Sequence, residues 1–264
     1  MLLIGALANK EVTGAGAIPW ACPVLSFGDF CRSHVATVGL NPSNREFQDQ
    51  FGNELSGRER RFHTLTSLGL QDWSQIQGPS LLQMVGSYRE YFSGNPYSRW
   101  FGPLDEAIAA SGTSFFSNSN PACHLDLIPY ATAEKWGELS PKNREVLTTW
   151  AADTFAILLR ESAVQLLILN GRSVVAGFER LAELSLSAGA NSGWDLHRAG
   201  GSLARGIAYT GKVSEIRGIA LGREILVLGY NINLQSSFGV TSQVKCEIGK
   251  WIGREWERRR SEQR

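Results

Sequence analysis

Three short apolar runs constrain this chain more than anything else in it. Residues 35–40, 164–171 and 225–229 are β-branched or aliphatic nearly throughout, and each runs directly into a polar turn: Gly39-Leu-Asn-Pro-Ser43, Asn170-Gly171 and Tyr230-Asn-Ile-Asn-Leu-Gln-Ser236. A strand with one wet face alternates apolar and polar residues, whereas a continuous apolar run is covered on both faces. Helical patterns fall between the runs, and strands that alternate with helices imply parallel pairing. The expected fold is α/β, a three-layer α/β/α sandwich around a central, mainly parallel four-stranded sheet.

The helices are predicted over 81–92, 97–111, 140–161, 172–184 and 242–259. Ser140 is placed as an N-cap, with Pro141 at the first helical position. Short strands are expected at 115–116 and 125–129, and a strand pair over 207–219. The chain has 264 residues, and no linker cuts it, so one domain is expected over 1–264. Within it, residues 1–32 read as an N-terminal wrap and 242–264 as a C-terminal helix. Residues 185–206 are Gly/Ser-rich and loop-like.

Composition excludes little but points one way. With 43% hydrophobic and 19% charged residues the chain can bury a sizeable core, and a net charge of +1 gives no global basic field. The basic tail Gly253-Arg-Glu-Trp-Glu-Arg-Arg-Arg-Ser-Glu-Gln-Arg264 reads as a solvated helix end. Cys22, Cys31, Cys123 and Cys246 lack the spacing of a metal or redox motif, and no apolar run reaches membrane-spanning length, so a cytoplasmic protein with free thiols and no membrane contact is expected. His124 and His197 also lack metal-ligand spacing. Neither metal nor cofactor is expected, and no Gly-rich phosphate loop supports an unrelated nucleotide-binding protein.

In open parallel sheets, ligands sit outside the carboxyl ends of the strands. The turn after the first strand delivers Asn41 there. Gly39 would let the backbone approach a ligand, and Pro42 stiffens the turn. His124-Leu-Asp126 and the run from Asn231 to Ser236 are further polar clusters at strand ends.

The stretch Thr37-Val-Gly-Leu-Asn-Pro-Ser43 resembles the first motif of the uracil-DNA glycosylase superfamily, Gly-x-Asn-Pro-Gly in its mismatch-specific and single-strand-selective branches, with Ser43 in place of the last glycine. The segments starting at Tyr97, Leu166 and Ile225 resemble that family's next helix, third strand and second motif, so the likeness extends over about 33–250.

The resemblance implies a monofunctional DNA glycosylase. Such an enzyme takes a nucleotide out of the stack and hydrolyses its N-glycosidic bond, leaving an abasic site. Asn41 would position the water, and backbone N–H groups around Leu40 would stabilise charge on the departing base. Asn231 would donate to that base. Ile232-Asn233 follows it where the family has Pro-Ser, and either Leu234 or Gln235 would be the wedge that fills the hole in the duplex.

Phe47 and Phe51 are candidates to stack on the flipped base, and Glu46 to hold the water or order Asn41. Asp126 stands where the family often has an asparagine that reads the base. An ionised carboxylate only accepts hydrogen bonds, which suits the exocyclic amine of cytosine and not the carbonyl of uracil; alternatively it caps a turn or pairs with an arginine. The substrate implied is a modified cytosine such as glucosylated hydroxymethylcytosine in phage DNA, with an antiviral role. Ordinary uracil or mismatch repair, and a catalytically inactive DNA-binding member of the fold, are the alternatives.

The stretches 54–94 and 185–217 read as insertions, offering Trp73, Tyr88, Tyr91 and Trp194 as a second stacking wall. Arg58, Arg60 and Arg61 either neutralise phosphates or belong to a solvated loop. DNA is the partner implied, and the sequence is silent on protein partners.

Overall fold

The computed structural model of the chain describes residues 2–197, 203–235 and 239–262. The helices are α1 (Leu2–Leu7), α2 (Lys10–Gly14), α3 (Leu65–Leu68), α4 (Gly78–Arg89), α5 (Ser98–Ile108), α6 (Pro141–Arg160), α7 (Arg172–Ala182) and α8 (Ser242–Glu262). The strands are β1 (Val35–Gly39), β2 (Ala122–Asp126), β3 (Leu166–Asn170), β4 (Ser187–Ala190), β5 (Leu196–His197), β6 (Leu203–Ala204), β7 (Ile207–Ile216) and β8 (Ile219–Tyr230).

The main sheet has six strands in the order β2-β1-β3-β8-β7-β4. Its first four strands are parallel, and β7 and β4 add antiparallel pairs at one edge. The sheet is therefore mixed and six-stranded, which corrects the four-stranded expectation. The reason lies in 207–219, where half-buried positions replace the continuous apolar run and the two-residue turn Arg217-Gly218 has positive φ at both positions (51° and 74°). Such a turn matches strand twist and forces a hairpin. It doubles β8 back along β7, and β7 then offers its free edge to β4.

Two helical layers cover the sheet. On one face α5 and α8 pack closely, a Cβ on Gly249 or Gly253 of α8 meeting the backbone of Ala107 or Ala110 at 3.1 and 2.9 Å. The same face carries Thr37, His124 and Ile168 of the three adjoining strands in register. On the other face α6 and α7 meet through Phe155 and Phe178, ring centres 6.3 Å apart, and Val175 of α7 presses on Gly229. β1, β3 and the second half of β8 are buried throughout, as their apolar runs require. Each Val, Leu or Ile so buried contributes roughly 1.5–3 kcal/mol.

Ser140 caps α6 as read from the sequence, its hydroxyl accepting from Asn143 N at 3.1 Å. Two expectations shift. Phe115 and Phe116 form a turn and not a strand, and β2 begins three residues earlier than the apolar run at 125–129. His124 lies inside β2 because Thr37 and Asp126 satisfy both its ring nitrogens. The N-terminal stretch carries two short helices, and isolated bridges join Ala17 to Thr132 and Phe27 to His124. No helix among the described residues is long and apolar enough to cross a membrane.

The proposed stacking wall does not exist. Trp73, Tyr88, Tyr91 and Trp194 are all buried. Trp73 donates to Pro19 O, Tyr88 to Pro23 O and Tyr91 to Glu46, while Trp194 packs on Trp251. Segment 54–94 closes over an aromatic cluster of Phe27, Phe62, Tyr91, Phe92 and Phe101.

Candidate functional site

A cavity of about 500 Å³ opens at the carboxyl ends of β1, β3 and β8. Gly39, Leu40, Asn41, Pro42 and Ser43 form one wall, and Asn231, Asn233 and Gln235 another. Asn41 and Asn231 thus line one space. Asn170, Gly171, Arg172 and Ser173, at the start of α7, complete the floor, with Trp100 of α5 and the 132–136 loop around the rim.

The amide of Asn41 has one orientation. Its Nδ2 donates to Thr132 Oγ1 at 3.0 Å, to Pro42 O at 3.1 Å and to Tyr130 O at 3.2 Å. With the nitrogen committed to the protein, Oδ1 is the group left to accept from a ligand or water. Leu127 N and Ile128 N bond Gly39 O and Leu40 O, so the exit of β2 clamps the turn. Ser43 caps the short 3-10 turn Asn44–Glu46 by accepting from Arg45 N, and Asn44 ties that turn to Ala133 O.

Gly39 has a reason the sequence did not disclose. A Cβ there would collide with Asp126 Oδ1 and lie 2.9 Å from His124 Nε2. The missing side chain makes room for a buried polar row: Thr37 Oγ1 lies 2.7 Å from His124 Nδ1, and His124 Nε2 lies 3.3 Å from Asp126 Oδ1. With Nε2–H donating to the carboxylate, Nδ1 accepts the threonine hydroxyl. Asp126 therefore pairs with a histidine, neither with an arginine nor as a turn cap, and it sits behind Gly39 instead of on the cavity wall.

Glu46 is likewise behind the wall. It is 3% exposed, and Tyr91 OH donates to its Oε2 at 2.8 Å with Arg61 Nε at 4.0 Å. Burial pushes its carboxyl up to about 7; the Tyr91 hydrogen bond and Arg61 pull the other way, and the nearby Asp126 charge adds to the rise. It makes no bond to Asn41. Phe47 is a core residue against Trp20 and Phe62, and Phe51 stands in solvent. Neither lines the cavity, so the aromatic surfaces there are Trp100 and Trp136.

On the opposite wall Asn231 closes a loop. Its Oδ1 accepts from Ile207 N and its Nδ2 donates to Arg205 O, both at 2.9 Å, leaving one amide hydrogen without a partner among the described residues. Asn233 Oδ1 accepts from Gln235 N. Gln235 is a strut: its Oε1 accepts from Asn170 Nδ2 at 2.7 Å, and its Nε2 donates to Trp100 O at 3.1 Å. Leu234 is only 1% exposed. Neither residue is placed to enter a duplex, and residues 236–238 of the same loop lie outside the described residues.

Sequence reasoning missed Asn44, Trp100, Thr132, Asn170 and Arg172. The turn Asn170-Gly171-Arg172-Ser173 carried the same signal as Gly39–Ser43, a polar turn after an apolar strand. Trp100 and Thr132 gave none, because one looked like part of a helical stripe and the other like loop. Among the described residues no group of three or more His, Cys, Asp or Glu side chains could hold a metal ion. The chain matches no protein-family model, and no curated protein shows significant similarity to it.

Proposed function

We propose that the cavity receives a base extruded from DNA, and that the protein is a monofunctional glycosylase hydrolysing the bond between that base and its sugar. The observation that carries this reading is the Asn41 amide, with Nδ2 held by three acceptors and Oδ1 left to a ligand. A fixed acceptor of this kind orients a water for attack on the anomeric carbon. An amide is a poor base, so the glycosidic bond must be largely broken before the water adds, with charge growing on the departing base. Leu40 and Asn231 line the same cavity, and backbone N–H groups of that turn together with the Asn231 amide suit that charge.

The substrate we propose is an enlarged pyrimidine, a modified cytosine such as glucosylated hydroxymethylcytosine in phage DNA, with defence against such phage as the role. Support comes from size and lining: about 500 Å³ far exceeds a bare pyrimidine, and Asn44, Glu134, Lys135 and Arg172 offer hydrogen bonds beyond a ring seated near Asn41. The carboxylate of Asp126 does not carry this preference, since it bonds His124.

The test is mass spectrometry of bases released by the purified protein from duplexes carrying uracil, mismatched thymine, cytosine or glucosylated hydroxymethylcytosine. Release of the modified base supports the reading. Uracil release alone moves the protein to ordinary repair, and DNA binding without any release makes it an inactive binding module.

A further inference from the structure

Beside the cavity stands a small hairpin that the reaction itself does not use. Leu55 N bonds Phe47 O at 2.8 Å, Gln48 bridges Glu54, and Asp49 N bonds Asn53 O at 2.9 Å. The Asp49 carboxylate fastens the tip from inside, accepting from Phe51 N, Asn53 N and Asn53 Nδ2 at 2.8–2.9 Å. Gly52 turns the chain with a φ of 86°. At the foot, Phe47 is anchored in the core, and the Arg45 guanidinium donates to Asp49 O. Arg45 follows Asn44, which lines the cavity, so the hairpin is an extension of that wall.

The tip carries Phe51, 80% exposed, ahead of every other large apolar side chain described. A ring left in water on a backbone this well fastened has its ordering cost met before any partner arrives. Flat apolar side chains on such projections enter or cap base stacks, and the exposed Arg58 and Arg60 that follow supply the charge such a surface needs for a phosphate backbone.

Extruding a nucleotide leaves a gap in the duplex that something must fill. Leu234 is buried and both ends of the Gln235 amide are bonded, so the loop after β8 offers neither. We propose that Phe51 is the residue that enters the base stack where the target nucleotide leaves it, from the hairpin beside the cavity. This rests on the DNA reading above and assigns Phe51 a role outside the base pocket.

The test uses the full chain and two duplexes, one intact and one with a tetrahydrofuran abasic site opposite 2-aminopurine. The wild type is expected to bind the gapped duplex at least about fivefold more tightly and to quench the 2-aminopurine as the ring stacks on it. Phe51→Ala should lose both effects with an unchanged melting temperature, and Phe51→Trp should retain them. Leu82→Ala, which removes another exposed apolar side chain, should behave as wild type. If Phe51→Ala keeps the preference and the quench, Phe51 is not the inserted residue, while the DNA reading stands. A wild type that binds neither duplex and releases no base removes the DNA reading and this role together.

Discussion

Tyr91 donates a 2.8 Å hydrogen bond to the buried carboxylate of Glu46, and so ties a distant segment of the chain to the turn that follows Asn41. The same phenol accepts from Tyr97 N, and Arg61 reaches across to Arg45 O and Asn95 O. Segment 54–94 is therefore a brace that fixes the first wall of the cavity from behind.

Glu46 makes stability depend on pH. Its carboxyl rises from 4.5 to about 7 on folding, so between those values the native state binds more protons than the unfolded one, and stability falls as pH rises. The difference amounts to about 3 kcal/mol at most. Denaturant midpoints from pH 4.5 to 8 should fall more steeply for the wild type than for Glu46→Gln, the two differing most above pH 7. Parallel curves would refute this.

Tyr91→Phe removes the donor and leaves the Glu46 carboxylate buried, with Arg61 at 4.0 Å as its remaining favourable partner. The expected loss is about 1–3 kcal/mol, larger at pH 8 than at pH 5, because the hydrogen bond favours the ionised form. Urea unfolding at the two pH values measures it.

Gly39→Ala should destabilise the fold by about 2 kcal/mol or more, since the new methyl group must displace the His124–Asp126 pair. Combining it with Asp126→Ala should recover part of that loss. A fully additive double variant would show that the collision is not the cause.

Asn41→Ala should lower base release on the order of a hundredfold or more while leaving DNA affinity close to wild type. Equal losses of both would make Asn41 a binding or folding residue.

Asn170→Ala cuts the strut that joins β3 to α5 through Gln235, and should cost about 1–2 kcal/mol. Trp100 lines the cavity at the far end of that strut, so ligand-induced change in Trp fluorescence should weaken in the same variant.

The sequence by itself determined the buried parallel strands, the capped helix starting at Pro141, and the delivery of Asn41 and Asn231 to strand ends. Each is a local matter of apolar runs, fixed φ at proline, and polar residues that cannot continue a buried strand. Tertiary structure alone decided what those polar groups do. Thr37 meets His124 and Gly39 lies opposite Asp126 because β1 and β2 are in register, Gln235 meets Asn170 across 65 residues, and Phe51 is left in water while Phe47 is buried. A side chain's hydrogen-bonding capacity is written in its type. Its partner depends on which strands pair and which loops fold back, and those contacts join residues that carry no mark of each other in the chain.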